Sequence, residues 1–91
     1  MKPPQGTIND DLDILIAEDS PTQAEYLKHL LEERGFQVRV ATNGRRALAL
    51  AQEKKPTLVV SDIVMPEMDG YTLCKEIRTH EDLKATPVIL M

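Results

Sequence analysis

The stretch Asp13-Ile14-Leu15-Ile16-Ala17-Glu18-Asp19-Ser20-Pro21-Thr22-Gln23 decides the fold. Residues 13–17 form a short, continuous, branched apolar run, the pattern of a strand buried on both faces. The run stops abruptly at two acids. Ser20-Pro21-Thr22-Gln23 then reads as a helix start: Ser20 as N-cap, Pro21 in the first helical position, Gln23 completing an S-x-x-Q capping box. Ala24, Leu27, Leu30 and Leu31 follow at helical spacing, and Gly35 stands where a C′ glycine is expected.

The same alternation continues outward. Residues 36–41 alternate Phe36, Val38 and Val40 with Gln37 and Arg39, which predicts a half-buried strand near a sheet edge. Asn43 is the expected N-cap of a second helix, with Ala47, Leu48, Leu50 and Ala51 on its apolar face. Residues 57–61 read as a second buried strand ending at Asp62. Residues 63–70 read as a loop, 71–79 as a helix with Leu73, Cys74 and Ile77 inward, 81–86 as a polar connection, and 87–91 as one more strand. The order β-α-β-α-β-α-β implies a parallel sheet with right-handed crossovers. Residues 1–11, with Pro3, Pro4 and Gly6, read as a flexible lead, and residues 12–91 as one folded domain.

Composition narrows the function. The 91 residues are 42% hydrophobic and 29% charged, an ordinary globular balance for a single modest core. Eleven basic and 15 acidic residues give a net charge of −4 with no basic cluster, which disfavours direct binding to nucleic acid or an anionic membrane. One cysteine permits no internal disulfide and no Cys-x-x-Cys metal site. The longest apolar runs fall far below the ~20 residues needed to span a bilayer. The N-terminus lacks the apolar region of a signal peptide, so the cytoplasm is the expected location.

In open parallel α/β sheets the site lies beyond the carboxyl ends of the strands. Here Glu18 and Asp19 follow the first strand and Asp62 the third. If those strands are neighbours, about 4.8 Å apart, three carboxylates crowd one pocket. Two charges ~5 Å apart repel by ~3 kcal/mol at an effective dielectric of about 20. A proton on one carboxyl or a bound cation relieves this. Oxygen-only ligands favour Mg²⁺ over zinc, and a carboxylate beside Mg²⁺ can attack phosphorus. Acids at strand ends also serve simply as helix N-caps, and spacing alone leaves both readings open.

These residues carry a resemblance. Residues 14–20 and the motif Ser61-Asp62-Ile63-Val64-Met65-Pro66-Glu67-Met68-Asp69-Gly70, with Asn43-Gly44 and Ala47-Leu48 at the second helix, resemble a response-regulator receiver domain, the CheY-like module of two-component signalling. The resemblance covers residues 12–91. It implies a flavodoxin-like, doubly wound sheet of order 2-1-3-4. It implies that Asp62 accepts a phosphoryl group from a histidine kinase or phosphotransfer protein. It also implies that Mg²⁺ is held by Asp19 and Asp62 directly, by Glu18 through water, and by the backbone carbonyl of Val64. Pro66 and Gly70 then shape the loop, and the chain is a signalling module rather than an enzyme.

Receivers similar to this one have a fifth strand and helix, a Ser or Thr ending strand four, and a Lys ending strand five. None of these falls within residues 1–91, so the expectation is a receiver truncated after its fourth strand. The alternative reading is a fragment that no longer signals and self-associates through an exposed fourth strand and an uncovered sheet face. On that face Ile14, Ile16, Leu58 and Val60 are expected to be half uncovered. A Mg²⁺-dependent phosphatase with a nucleophilic Asp is disfavoured, because that family places a D-x-D motif after its first strand and this chain has Glu18-Asp19-Ser20 there. The remaining polar residues read as structural. Cys74 is expected in the core, His29 in a surface charge network, His80 as a helix C-cap, Asp10, Asp11 and Asp13 as solvated lead-in charges, and Tyr26 and Tyr71 as partly buried.

Overall fold

The structure, a computed structural model, describes residues 12–91. The expected flexible lead over residues 1–11 lies outside the described residues, as do Asp10 and Asp11. Strands β1 (Asp13–Ala17), β2 (Gln37–Ala41), β3 (Leu58–Ser61) and β4 (Val88–Leu90) alternate with helices α1 (Pro21–Glu33), α2 (Gly44–Glu53) and α3 (Gly70–Thr79). The strands form one parallel sheet of order β2-β1-β3-β4.

That order explains the layering. The chain steps from β1 to β2 in one direction, then returns past β1 to β3 and on to β4. Right-handed crossovers therefore put α1 on one face and α2 and α3 on the other. Side chains alternate between the faces. Leu15, Ala17 and Val59 face α2 and α3 and join Ala47, Ala51, Leu73 and Ile77 in the main core. Ile14 and Ile16 face α1 and are buried. Leu15 and Ile16 are wholly enclosed, and each such side chain contributes ~1.5–3 kcal/mol through burial. The expectation that Ile14 and Ile16 are half uncovered is corrected: α1 covers them. Leu58 and Val60, nearer the β4 side of that face, are half-buried. Ile89, which pairs with Val60, is 50% exposed.

Helix starts follow local chemistry. Ser20 Oγ accepts from the Gln23 N–H, Asn43 Oδ1 from Arg46, and Asp69 Oδ1 from Thr72. The capping box at α1 is only half formed, because the Ser20 N–H donates to Glu18 Oε2 at 3.1 Å. His80 is the C-cap of α3, as expected, and its Nδ1 accepts from the Asp82 N–H.

Asp13 is not a solvated charge. It is buried at the start of β1 and paired with Arg39 on β2, because Arg39 projects onto the α2 face beside it. Tyr26 and Tyr71 are 64% and 63% exposed, since each points away from the sheet on its helix. Cys74 is half-buried beside the enclosed Leu73.

Candidate functional site

The switch point of the winding lies between β1 and β3. Their parallel register sets Ala17 opposite Ser61, and the next residues, Glu18 and Asp62, leave the sheet side by side. Backbone bonds fix both exits. Glu18 N–H donates to the Ala41 carbonyl, and Asp62 N–H to the Ala17 carbonyl. Glu18, Asp19 and Asp62 each offer one carboxylate oxygen, and these oxygens all lie within 4.8 Å of one another. The sequence expected this convergence if β1 and β3 were neighbours, and they are.

The three acids differ in environment. Glu18 is buried, Asp62 half-buried and Asp19 exposed. Burial pushes the Glu18 carboxyl above the ordinary 4.5; the Ser20 N–H acts in the opposite direction, and the charges of Asp62 and Asp19 add to the rise. Burial and the neighbouring charges both disfavour the ionised form of Glu18, and a cation placed among the three carboxylates would favour it. Asp62 Oδ1 accepts from the Ile63 N–H at 2.8 Å, which orients the carboxylate at the mouth of the loop.

The loop from Asp62 to Gly70 is built by close approach. Gly70 N–H donates to the Ile63 carbonyl at 2.7 Å, and a Cβ on Gly70 would lie 2.4 Å from the Asp62 carbonyl oxygen. A Cβ on Gly44, the first residue of α2, would lie 2.1 Å from the Met68 carbonyl oxygen. Both positions therefore require glycine. Between them Pro66, Glu67 and Met68 make a γ-turn: the Met68 N–H donates to the Pro66 carbonyl at 2.7 Å, and Glu67 has φ 68°. Val64, two residues after Asp62, is 76% exposed at the tip of the loop. Met65 turns back into the core.

Donor chemistry fits a hard cation. Three carboxylate oxygens with no nitrogen or sulfur ligand suit Mg²⁺ or Ca²⁺ rather than zinc or copper. The sequence missed two features beside the site. The Arg45–Glu67 ion pair bridges α2 and the loop at 3.4 Å, and Gly44 seats the loop on α2. Only the Asn43-Gly44 dipeptide hinted at either.

Comparison with known proteins agrees with this geometry. The response regulator receiver domain family matches residues 14–91, and the chain belongs to that family. It is 41% identical over 78 residues to Protein PilH of Pseudomonas aeruginosa, covering 86% of this chain and 64% of PilH. It is 45% identical over 78 residues to the regulatory protein AtoC of Escherichia coli, covering 86% of this chain and 16% of AtoC. Among solved structures, the signal receiver domain of a Syntrophus aciditrophicus signal transduction histidine kinase superposes with a TM-score of 0.84 at 53% identity. That match covers 87% of this chain and 60% of that one. A receiver domain of a P. aeruginosa sensor histidine kinase, which has a magnesium ion coordinated in its active-site cleft, superposes with a TM-score of 0.83 at 28% identity. It covers 87% of this chain and 65% of that one. The chain thus spans less than two thirds of the length of these relatives. Receiver domains are signalling modules of two-component systems rather than classical enzymes, and they bind Mg²⁺ at an acidic site. Among the described residues, no helix is long and apolar enough to cross a membrane.

Proposed function

We propose that this receiver domain accepts a phosphoryl group on Asp62 from the phosphohistidine of a histidine kinase or phosphotransfer protein. An Asp62 carboxylate oxygen attacks phosphorus, the phosphorus–nitrogen bond breaks, and the electron pair leaves with the imidazole. The observation that carries the reading is the convergence of Glu18, Asp19 and Asp62 within 4.8 Å at the switch point. Asp19 and Asp62 would hold Mg²⁺ directly, Glu18 through water, and Val64 through its carbonyl. Bound there, Mg²⁺ offsets the charge of the phosphoryl oxygens. The Ile63 N–H orients Asp62, and buried Glu18 keeps its bond to Ser20.

The test is incubation with acetyl phosphate and Mg²⁺, followed by mass spectrometry of the peptide that contains Asp62. One phosphoryl group, hydroxylamine-labile and absent from Asp62→Asn, is expected. No incorporation, or incorporation unchanged in Asp62→Asn, overturns the assignment.

A second reading concerns assembly of the 91-residue chain. Ile89 is 50% exposed on β4, and on the same face Leu58 and Val60 are only half-buried. A second copy seated there would cover this strip. Light scattering at micromolar concentration is expected to give a dimer that Ile89→Lys weakens, and a monomer would remove this reading.

A further inference from the structure

The loop that follows Asp62 is tied at both ends by backbone bonds. Asp62 and Gly70 are anchored by the Ile63 backbone. Glu67 occupies the left-handed region at φ 68°, which an L side chain adopts only where its surroundings hold it. Besides the turn's own Met68-to-Pro66 bond, two contacts from the first turn of α2 hold residues 66–68. The Met68 carbonyl rests where a Gly44 Cβ would be, and Arg45 Nε lies 3.4 Å from Glu67 Oε1. Val64, between Asp62 and this turn, is 76% exposed.

We propose that Arg45 is a positioning residue for the cation-binding loop: its ion pair with Glu67 holds the left-handed turn of residues 66–68 against α2 and keeps the loop in shape to receive the cation. The inference rests on the reading of Glu18, Asp19 and Asp62 as a Mg²⁺ site. It makes a prediction opposite in sign to simple electrostatics. A positive charge beside an acidic cluster opposes a divalent cation, so by charge alone the loss of Arg45 should tighten Mg²⁺ binding. As a latch, its loss should weaken binding.

The experiment titrates Mg²⁺ into the 91-residue chain by calorimetry at fixed ionic strength. Arg45→Ala and Glu67→Ala are each expected to weaken binding about twofold to fivefold, the range an exposed ion pair supports. The swap of Arg45→Glu with Glu67→Arg should restore it. Glu67→Gly should bind more tightly than Glu67→Ala, because glycine takes the left-handed turn without strain. A role as a remote negative charge would instead penalise both Glu67 variants alike. Hydrogen exchange at the Met68 amide without metal is expected to quicken in Arg45→Ala, which tests the latch apart from binding. Tighter or unchanged binding in Arg45→Ala with unchanged exchange overturns the proposal. A wild-type chain that binds no Mg²⁺ overturns the metal reading instead, and the exchange result then decides the latch alone.

Discussion

Arg39 and Asp13 lock the base of the sheet to a helix end. Nε and Nη2 of Arg39 donate to the two oxygens of Asp13, and Nη1 and Nη2 also reach the carbonyls of Leu50 and Lys54 at the end of α2. One guanidinium joins an inner strand, an edge strand and a helix C-terminus, whose dipole it also complements. The side chains are 24% and 6% exposed, so the pair is largely withdrawn from water.

Removing one member of such a pair strands the other's charge. Arg39→Met is expected to cost about 3 kcal/mol, read as a lowered urea midpoint at unchanged slope. Adding Asp13→Leu should recover most of that loss, because no buried charge then remains. A single-variant cost below about 1 kcal/mol would place the pair with ordinary surface ion pairs.

Gly70→Ala should destabilise, against the usual trend. In a helix alanine normally gains ~1 kcal/mol over glycine. Here the new Cβ meets the Asp62 carbonyl at 2.4 Å and the Ile63 Cα at 3.0 Å, so backbone must move. A loss of about 1–3 kcal/mol is expected in denaturant melts. If Asp62 holds Mg²⁺ as proposed, the stabilisation by Mg²⁺ should shrink as well, since the Asp62 backbone is what moves.

Asp69 gives a pH signature. The backbone N–H of Thr72, helped by its hydroxyl, holds the Asp69 carboxyl below the ordinary 3.8. A lowered folded value means that its stabilisation is complete above 3.8 and fades as pH falls through the folded value. Asp69→Asn keeps an N-cap acceptor without a titrating proton. The stability advantage of wild type over Asp69→Asn should therefore narrow on acidification below pH 3.8. A constant difference across that range would contradict the assignment.

A cation at the proposed site and the repulsion among its carboxylates should act on the fold with opposite signs. For a dissociation constant of ~1 mM, ~10 mM Mg²⁺ should stabilise the chain by ~1.4 kcal/mol. Asp62→Asn should abolish most of that response. Without Mg²⁺ the same variant should melt higher than wild type, because one of three crowded charges is gone; two charges at ~5 Å cost between about 1 and 3 kcal/mol. A wild-type melting temperature indifferent to Mg²⁺ counts against the site.

Much of this was legible because local rules and tertiary structure agree. The branched run of residues 13–17 is central in the sheet, the alternating run containing Val38 and Val40 lies at its edge, and Asn43 caps the helix it precedes. The acidic cluster was legible because the carboxyl ends of neighbouring strands must share one rim. What stayed hidden depends on partners far along the chain. Asp13 looked like a tail charge because Arg39 reaches it only once β1 and β2 pair. Leu83 looked like part of a polar connection, yet it is enclosed in the main core. Gln23 fitted a capping box, but Glu18 takes the Ser20 N–H from outside the helix.

The alignment of Ala17 with Ser61 has a consequence for which sequence edits the domain can survive. Glu18 and Asp62 reach one another only because their strands count residues in step. One residue inserted in β1 or β3 would turn every following side chain in that strand to the opposite face and shift its acid by ~3.3 Å along the strand. Insertions between α1 and β2, or between α3 and β4, leave that count untouched. Length variation should therefore be tolerated in the connections at the opposite end of the sheet and rejected within β1 and β3, even where every inserted residue is apolar and packs well.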